Sequence, residues 1–232
     1  MVLQVVTLFP EMLSGLLDHS MLKRAQERAG VEIRLVGLRP FGVGTHRTTD
    51  DYPFGGGPGM VLRVDVVVPA VEWAMMHHQA PATVLWTSPQ GRRLDQHWCR
   101  ELASLDHIII VAGHYEGIDE RAREIVGGTE VSIGDYVLTG GELPAMVLVD
   151  AITRLRPGVL GAERGAAEDS FGEIGGYLEG PQYTRPEVYR LKAVPSVLLS
   201  GHHQNIRQWR EAQGLERTKQ RRPDLLDGQI DA

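Results

Sequence analysis

The run His107-Ile108-Ile109-Ile110-Val111-Ala112-Gly113 constrains the fold more than any other part of the chain. Its apolar residues follow one another without polar alternation, so a strand built from them cannot have one wet face. Four are β-branched, and Gly113 ends the run after a strand's length. The run therefore reads as a central strand buried on both faces of a parallel sheet. The stretches LQVVTL, VEIRLV, TVLWTS and TEVSIG supply further strands. Helix-period segments near 65–79, 94–105 and 117–126 separate them. A further helix is expected over 11–30, with apolar residues at Met12, Leu13, Leu16, Leu17, Met21 and Leu22 and a stop at Gly30. Such alternation predicts an α/β domain whose ligands sit at the carboxyl ends of the strands.

The pattern changes after about residue 155. A Gly-, Pro-, Ala- and acid-rich stretch is followed by a basic, helix-like segment with no strand candidate. The expected organisation is an α/β domain over 1–160, a flexible linker over 161–176 and a small all-helical domain over 177–232. Charge follows the same division. The formal net charge is −6, yet Arg185 to Arg222 hold nine Lys or Arg against three Asp or Glu, a local +6 that leaves −12 elsewhere. A basic end on an acidic body suits a protein that meets a polyanion with one end.

Composition, with 42% hydrophobic and 23% charged residues, is that of an ordinary soluble protein, and no apolar run approaches the roughly 20 residues of a membrane span. Pro10 breaks the N-terminal apolar run, which has no basic start, so no signal peptide is expected. Cys99 is the only cysteine, which excludes an intrachain disulfide and a cysteine-based zinc site. The expectation is a cytoplasmic protein.

Three glycine-bearing loops follow predicted strands: SPQGRRLD, GHYEGIDER and GDYVLTGGELP. At the carboxyl ends of a parallel sheet they converge on one pocket. Phosphate is a poor ligand for it. Gly134, Gly140 and Gly141 match neither dinucleotide nor P-loop spacing, and no lysine follows them. Glycine permits close approach of a ligand to backbone N–H and C=O groups, which suit an adenine edge, a ribose and an amino acid. Glu130, Asp135 and Glu142 beside the glycines tolerate a cation. The chemistry points to the sulfonium of S-adenosylmethionine rather than to ATP.

Ten blocks now carry a resemblance: LFPEM, HRTTDDYPFGGGPGM, SPQGRRLDQ, GHYEGIDER, SIGDYVLTGGELPAM, RPGVLG, EDSF, YTRPEVY, VLLSGHH and RRPDLL. In this order they resemble the bacterial tRNA (guanine-37-N1)-methyltransferase family of the SPOUT superfamily. The resemblance implies a parallel-sheet domain with a deep trefoil knot, a helical C-terminal domain and a homodimer with active sites at the subunit interface. It also implies methyl transfer from S-adenosylmethionine to N1 of guanosine 37 in tRNA. An inactive tRNA-binding protein of the same fold is the alternative, distinguished by a lost base or pocket; both are intact here.

Carried over, the cofactor contacts fall on Ser88, Pro89, Gly113, Tyr115, Glu116, Ile133, Gly134, Asp135, Tyr136, Val137, Leu138, Gly140, Gly141 and Pro144. The resemblance makes Asp169 the general base and Arg154 the cation that meets charge on the guanine O6. The family's magnesium dependence makes Glu116 a metal-ligand candidate. His46, Arg47 and Asp50, beside a glycine turn, fall on the tRNA and target-base surface. The basic residues Arg185, Arg190, Lys192, Arg207 and Arg210, with Lys219, Arg221 and Arg222 beyond them, are expected along the anticodon stem, neutralising phosphates. Trp209, at helical spacing, is expected in a core. Trp86-Thr87, His114 and Gln182 depart from residues common in the family, and Trp86 bears on the adenine wall.

Overall fold

The computed structural model describes residues 1–161, 165–172 and 176–226. Residues 162–164 and 173–175 of the expected linker, and 227–232 of the expected C-terminal domain, lie outside the described residues. The chain divides into two compact units, Met1–Gly161 and Ala162–Ala232.

The first unit runs β1 (Val2–Thr7), α1 (Glu11–Leu17), α2 (Ser20–Arg28), β2 (Glu32–Gly37), β3 (Asp50–Asp51), β4 (Val61–Leu62), α3 (Val64–Met76), β5 (Thr83–Arg93), α4 (Gln96–Ala103), β6 (His107–Val111), α5 (Glu120–Val126), β7 (Thr129–Ser132) and α6 (Glu142–Thr153). Five strands form one parallel sheet in the order β2-β1-β6-β5-β7. β6 is central, as its unbroken apolar run demands. Ile108 and Ile110 face a core made with α1, α2, α4 and α6. Ile109 and Val111 face a second core beneath α3 and α5. All four are fully buried. Trp86, 2% exposed, belongs to that second core and donates its indole N–H to the Gly127 carbonyl at 2.8 Å. It forms no adenine wall, because alternation along β5 turns it away from the pocket side.

At the amino end of β6, His107 is 1% exposed. Its Nδ1 lies 3.0 Å from the Ala80 carbonyl and its Nε2 2.7 Å from Gln4 Oε1, while the buried Gln4 Nε2 has no partner among the described residues. A half-turn of the Gln4 amide sets its NH2 against Nε2; the ring then donates from Nδ1 and accepts at Nε2, and a neutral imidazole satisfies both groups. Burial holds the ring's pKa below its ordinary value; the hydrogen bond to the Ala80 carbonyl opposes it, and His78 and Arg34 add to it.

One local expectation is corrected in this unit, and one pairing is added that no expectation covered. The single helix over 11–30 is two helices, broken where His19 is extended and Ser20 takes φ 49°. Asp18, His19 and Ser20 are consecutive polar residues whose side chains compete for the backbone, which weakens a helix there. A short antiparallel pair, β3 with β4, also appears in the glycine-rich block. Two residues per strand are too few to show a period.

The second unit contains α7 (Gly165–Glu168), β8 (Val188–Tyr189), β9 (Lys192–Ala193), α8 (Ser196–Leu199) and α9 (His203–Arg221). It is not all-helical: β8 and β9 form an antiparallel ribbon. Arg190 and Leu191 make its turn with φ 47° and 64°. Left-handed turns favour Asn and Gly, and neither is present, so the sequence carried no hairpin signal. On α9, Gly214 and Thr218 are buried, and the Thr218 hydroxyl accepts from the Leu178 N–H at 2.9 Å. Trp209 is only half-buried, 6.2 Å from Tyr183 between ring centroids, so it packs at a surface rather than in a core.

Candidate active site

Three carboxyl-end loops meet at one cavity of about 260 Å³. The first leaves β5 at a register shift, where Thr87 and Arg92 both stand opposite Val131 and residues 88–91 loop out. A Cβ on Gly91 would collide with the Glu130 and Val131 backbone, so only glycine lets the loop close against β7. The second loop runs from Gly113 to Gly117 after β6. The third, Ile133 to Gly141, leads from β7 into α6.

The loops are tied to one another. The Gly141 N–H donates to the Gly113 carbonyl at 2.6 Å. The Thr87 hydroxyl donates to the Val111 carbonyl at 3.1 Å and accepts from the Gly113 N–H at 3.4 Å. Met60 accepts from the Glu116 N–H at 2.9 Å, while the Leu62 N–H donates to Gly117 at 2.9 Å, which fixes the second loop to β4.

Thirteen of the fourteen residues expected to contact a cofactor line this cavity: Ser88, Pro89, Gly113, Tyr115, Glu116, Ile133, Gly134, Tyr136, Val137, Leu138, Gly140, Gly141 and Pro144. Asp135 does not; it is exposed beside it. Thr87, His114, Gly117, Val131, Ser132 and Thr139 also line it, and the sequence reading did not assign them to the site. Alternation could have found Val131, whereas Thr87 lines the cavity because β5 ends its regular register there. Ile133 and Val131 give apolar walls, and the flank of Tyr136, Val137 and Leu138 is open, with Val137 85% exposed.

The three acids expected beside the glycines have different fates. Glu130 is paired with Arg123. Asp135 faces water. Glu142, in the first turn of α6, is 1% exposed, accepts from the Thr7 hydroxyl at 3.0 Å and faces His114 Nδ1 at 3.4 Å. It stands at a helix N-terminus, where a carboxylate is favoured. His114 sits between the Phe9 and Tyr115 rings, at 4.8 and 5.0 Å between centroids. The Thr7 partnership spans 135 residues of sequence, which no local pattern reveals.

The expected reason for the glycines is corrected at Gly141. A Cβ there would strike Thr87 Oγ1 and lie 2.7 Å from the Gly113 nitrogen and 2.9 Å from the Ala112 Cα. The chain itself, rather than a ligand, fills that space.

Arg154 ends α6 and lines a different, shallow groove of about 540 Å³ with Gln96, Leu143, Met146, Val147, Asp150 and Ala151. Asp169 stands just past α7 in the second unit and is half-buried. His46 and Arg47 are exposed on a turn closed by pairing of Val43 with Thr48. Asp50, half-buried, is near enough to Tyr115 to help raise its phenol pKa; burial is the larger cause and Arg39 opposes both. Arg185, Arg190, Lys192, Arg207 and Arg210 are all exposed on the second unit. Arg207 is paired with Glu211 at 2.8 Å, and Arg190 lies over the Tyr189 ring. Among the described residues no group of three or more His, Cys, Asp or Glu could hold a metal, and no helix is long and apolar enough to cross a membrane.

With this geometry in place, comparison with known proteins places the chain. The family described as tRNA (Guanine-1)-methyltransferase TrmD matches residues 1–228. Relatives named tRNA (guanine-N(1)-)-methyltransferase match nearly end to end. The Moorella thermoacetica protein is 55% identical, over 96% of this chain and 88% of its own. That of Geobacillus kaustophilus is 51% identical over 97% and 91%, and that of Halalkalibacterium halodurans 52% over 98% and 92%. A full-length match and identities above half leave one assignment: the chain belongs to the tRNA (guanine-1)-methyltransferase family.

Proposed function

We propose that this chain transfers the methyl group of S-adenosylmethionine to N1 of guanosine 37, beside the anticodon, in tRNA. The observation that carries this reading is the convergence of three carboxyl-end loops on one cavity in a chain of this family. Its lining fits the donor. Ile133, Val131 and Leu138 offer apolar contact to an adenine, loop backbone offers hydrogen bonds, and among the described residues no lysine or arginine lines the cavity to repel a sulfonium. Bound there, S-adenosylmethionine supplies an electrophilic methyl group.

The remaining chemistry belongs to side chains. Guanine N1 carries a proton at neutral pH, and its lone pair becomes nucleophilic only as that proton leaves. Asp169 takes the proton, a role worth roughly 10² to 10⁴ in rate. Arg154 faces the charge that grows on O6. The basic residues of the second unit hold the anticodon stem through its phosphates, and His46, Arg47 and Asp50 border the target base. The boundaries 1–160, 161–176 and 177–232 belong to this reading, as does a cytoplasmic location, where tRNA is the substrate.

The reading includes a homodimer. The cavity's volume is below the roughly 300–1,000 Å³ usual for small-molecule sites, and its flank is open. Val137, Leu138, Leu143 and Val147 are exposed along that flank and the adjoining face of α6. A second copy covering them completes the site and brings its own Asp169 to the pocket. The reading also includes the trefoil knot. It is supported by the close passage of Gly140–Gly141 against Thr87 and residues 112–114. Magnesium fits less well. Glu116 brings one carboxylate, with its side chain laid against Gly59, and an octahedral ion needs more ligands than this. No step here uses the ion.

Mass mapping of the methyl group on an undermodified tRNA transcript tests the proposal. A methyl group on another nucleotide, or none, rejects it.

A further inference from the structure

Phe54 is the most conspicuous side chain that this mechanism leaves unused. It is 99% exposed, on the segment between β3 and β4, with Tyr52 also well exposed two residues earlier. The Gly56 N–H donates to the Pro53 carbonyl at 3.2 Å, closing a turn with Phe54 and Gly55 at its corners. Gly55, Gly56 and Gly57 follow with φ of 89°, 79° and 125°, and among the described residues no atom beyond their own chain neighbours lies within 4 Å of where their Cβ atoms would be. Their conformations need glycine, and the space around them is open. An aromatic ring left uncovered by the described residues is held out on a turn whose shape is specified.

The base of that turn is fixed to the pocket. Asp50 pairs with Leu62 and Asp51 with Val61. Met60 and Leu62 bond the Glu116 and Gly117 backbone of the second pocket loop, and the Glu116 side chain packs on Gly59. Phe54 is six residues from Met60, so it stands within about 20 Å of the pocket wall.

We infer that Phe54 is a stacking platform for an unpaired base next to the methylated guanosine, holding the anticodon loop splayed so that the target reaches the pocket. An anticodon loop is single-stranded, and single-stranded RNA is read by stacking unstacked bases on aromatic rings. The open glycines fit that partner, since they let sugar and phosphate pass close to the backbone without side chains in the way. A protein partner would find one ring at the tip of a glycine turn instead of a contiguous apolar patch. Exposed His46 and Arg47 on the neighbouring turn add donors for the phosphates.

The inference rests on the pocket being the tRNA methyl-transfer site, and its test separates the two. Anticodon stem-loops carry 2-aminopurine at each nucleotide flanking the target guanosine, and wild type is expected to quench one of them on binding. Phe54→Ala should lose that quenching and lower single-turnover kcat/KM by roughly 10- to 100-fold, the range of one lost base stack. Phe54→Tyr and Phe54→Trp should keep both, while Phe54→Leu should fail like alanine. S-adenosylmethionine affinity by calorimetry and mass by sedimentation should not change.

Unchanged quenching and rate in Phe54→Ala overturn the inference, as does rescue by leucine. A lower mass in Phe54→Ala overturns it in favour of a second copy covering the ring. Loss of S-adenosylmethionine affinity overturns it in favour of a support for the pocket. If wild type transfers no methyl group yet Phe54→Ala abolishes quenching, the proposed function falls and the stack stands.

Discussion

Replacing Gly141 with alanine adds one carbon where two loops already touch. The new Cβ meets Thr87 Oγ1, the Gly113 nitrogen at 2.7 Å and the Ala112 Cα at 2.9 Å. The hydroxyl can turn aside, but the two backbone atoms belong to the end of the central strand and cannot. The loops must part, and the 2.6 Å bond from Gly141 to the Gly113 carbonyl lengthens or breaks. Overpacking of this kind costs about 1–3 kcal/mol and a lost hydrogen bond about 0.5–1.5 kcal/mol, so the sum is about 2–4 kcal/mol. For a chain of this size that lowers the melting temperature by about 5–15 °C. The assay is thermal unfolding followed by circular dichroism with no ligand present. Adding Thr87→Ala removes only the nearest obstacle, so the double variant should recover less than half of the loss. A Gly141→Ala protein that melts with wild type, yet no longer binds S-adenosylmethionine, would refute the argument and return the glycine to the ligand.

Four further outcomes are expected. Asp169→Asn keeps the shape but cannot accept a proton, so single-turnover methylation should fall roughly 10²-fold or more at unchanged S-adenosylmethionine affinity; a fall in affinity alone sinks the assignment. Mixed dimers of Asp169→Asn with Leu138→Lys, which sets a cation in the pocket, should regain roughly a quarter of wild-type activity if base and pocket come from different chains. Silence after proven subunit exchange places them in one chain. His107, held neutral by burial, contributes stability that is complete above the unfolded pKa of about 6.5 and is lost as pH falls below it, because the unfolded chain takes up the proton first. Urea midpoints should therefore drop between pH 7.5 and 5 more steeply in wild type than in His107→Gln, and equal slopes exclude the histidine as the cause. Cys99 is buried with its thiol pushed up to about 11, so a thiol reagent at pH 7 should react only after unfolding; rapid labelling of native protein contradicts this.

The five parallel strands and most of the helices between them were legible because their signals are local. An apolar run such as Ile108–Ala112 states its own burial, and a glycine after a strand states its own turn. The pocket's loops were legible for the same reason, together with the ten ordered blocks that resemble the family. The hairpin at Arg190–Leu191 was not, since its left-handed turn lacks the residues that announce one. Nor could the sequence separate the fates of Glu130, Asp135 and Glu142, three acids of equal appearance. Arg123 neutralises the first, water solvates the second, and the third is buried against Thr7 from the opposite end of the domain. Gly141 is the same case: composition marks a close approach there, and only the assembled sheet decides that the approaching surface is residues 112–113 of the chain itself. Periodicity and turn chemistry act over a few residues and are written in order along the chain. Which distant side chain or backbone fills a given space depends on how the strands are placed side by side, and that is fixed only by the packing of the whole.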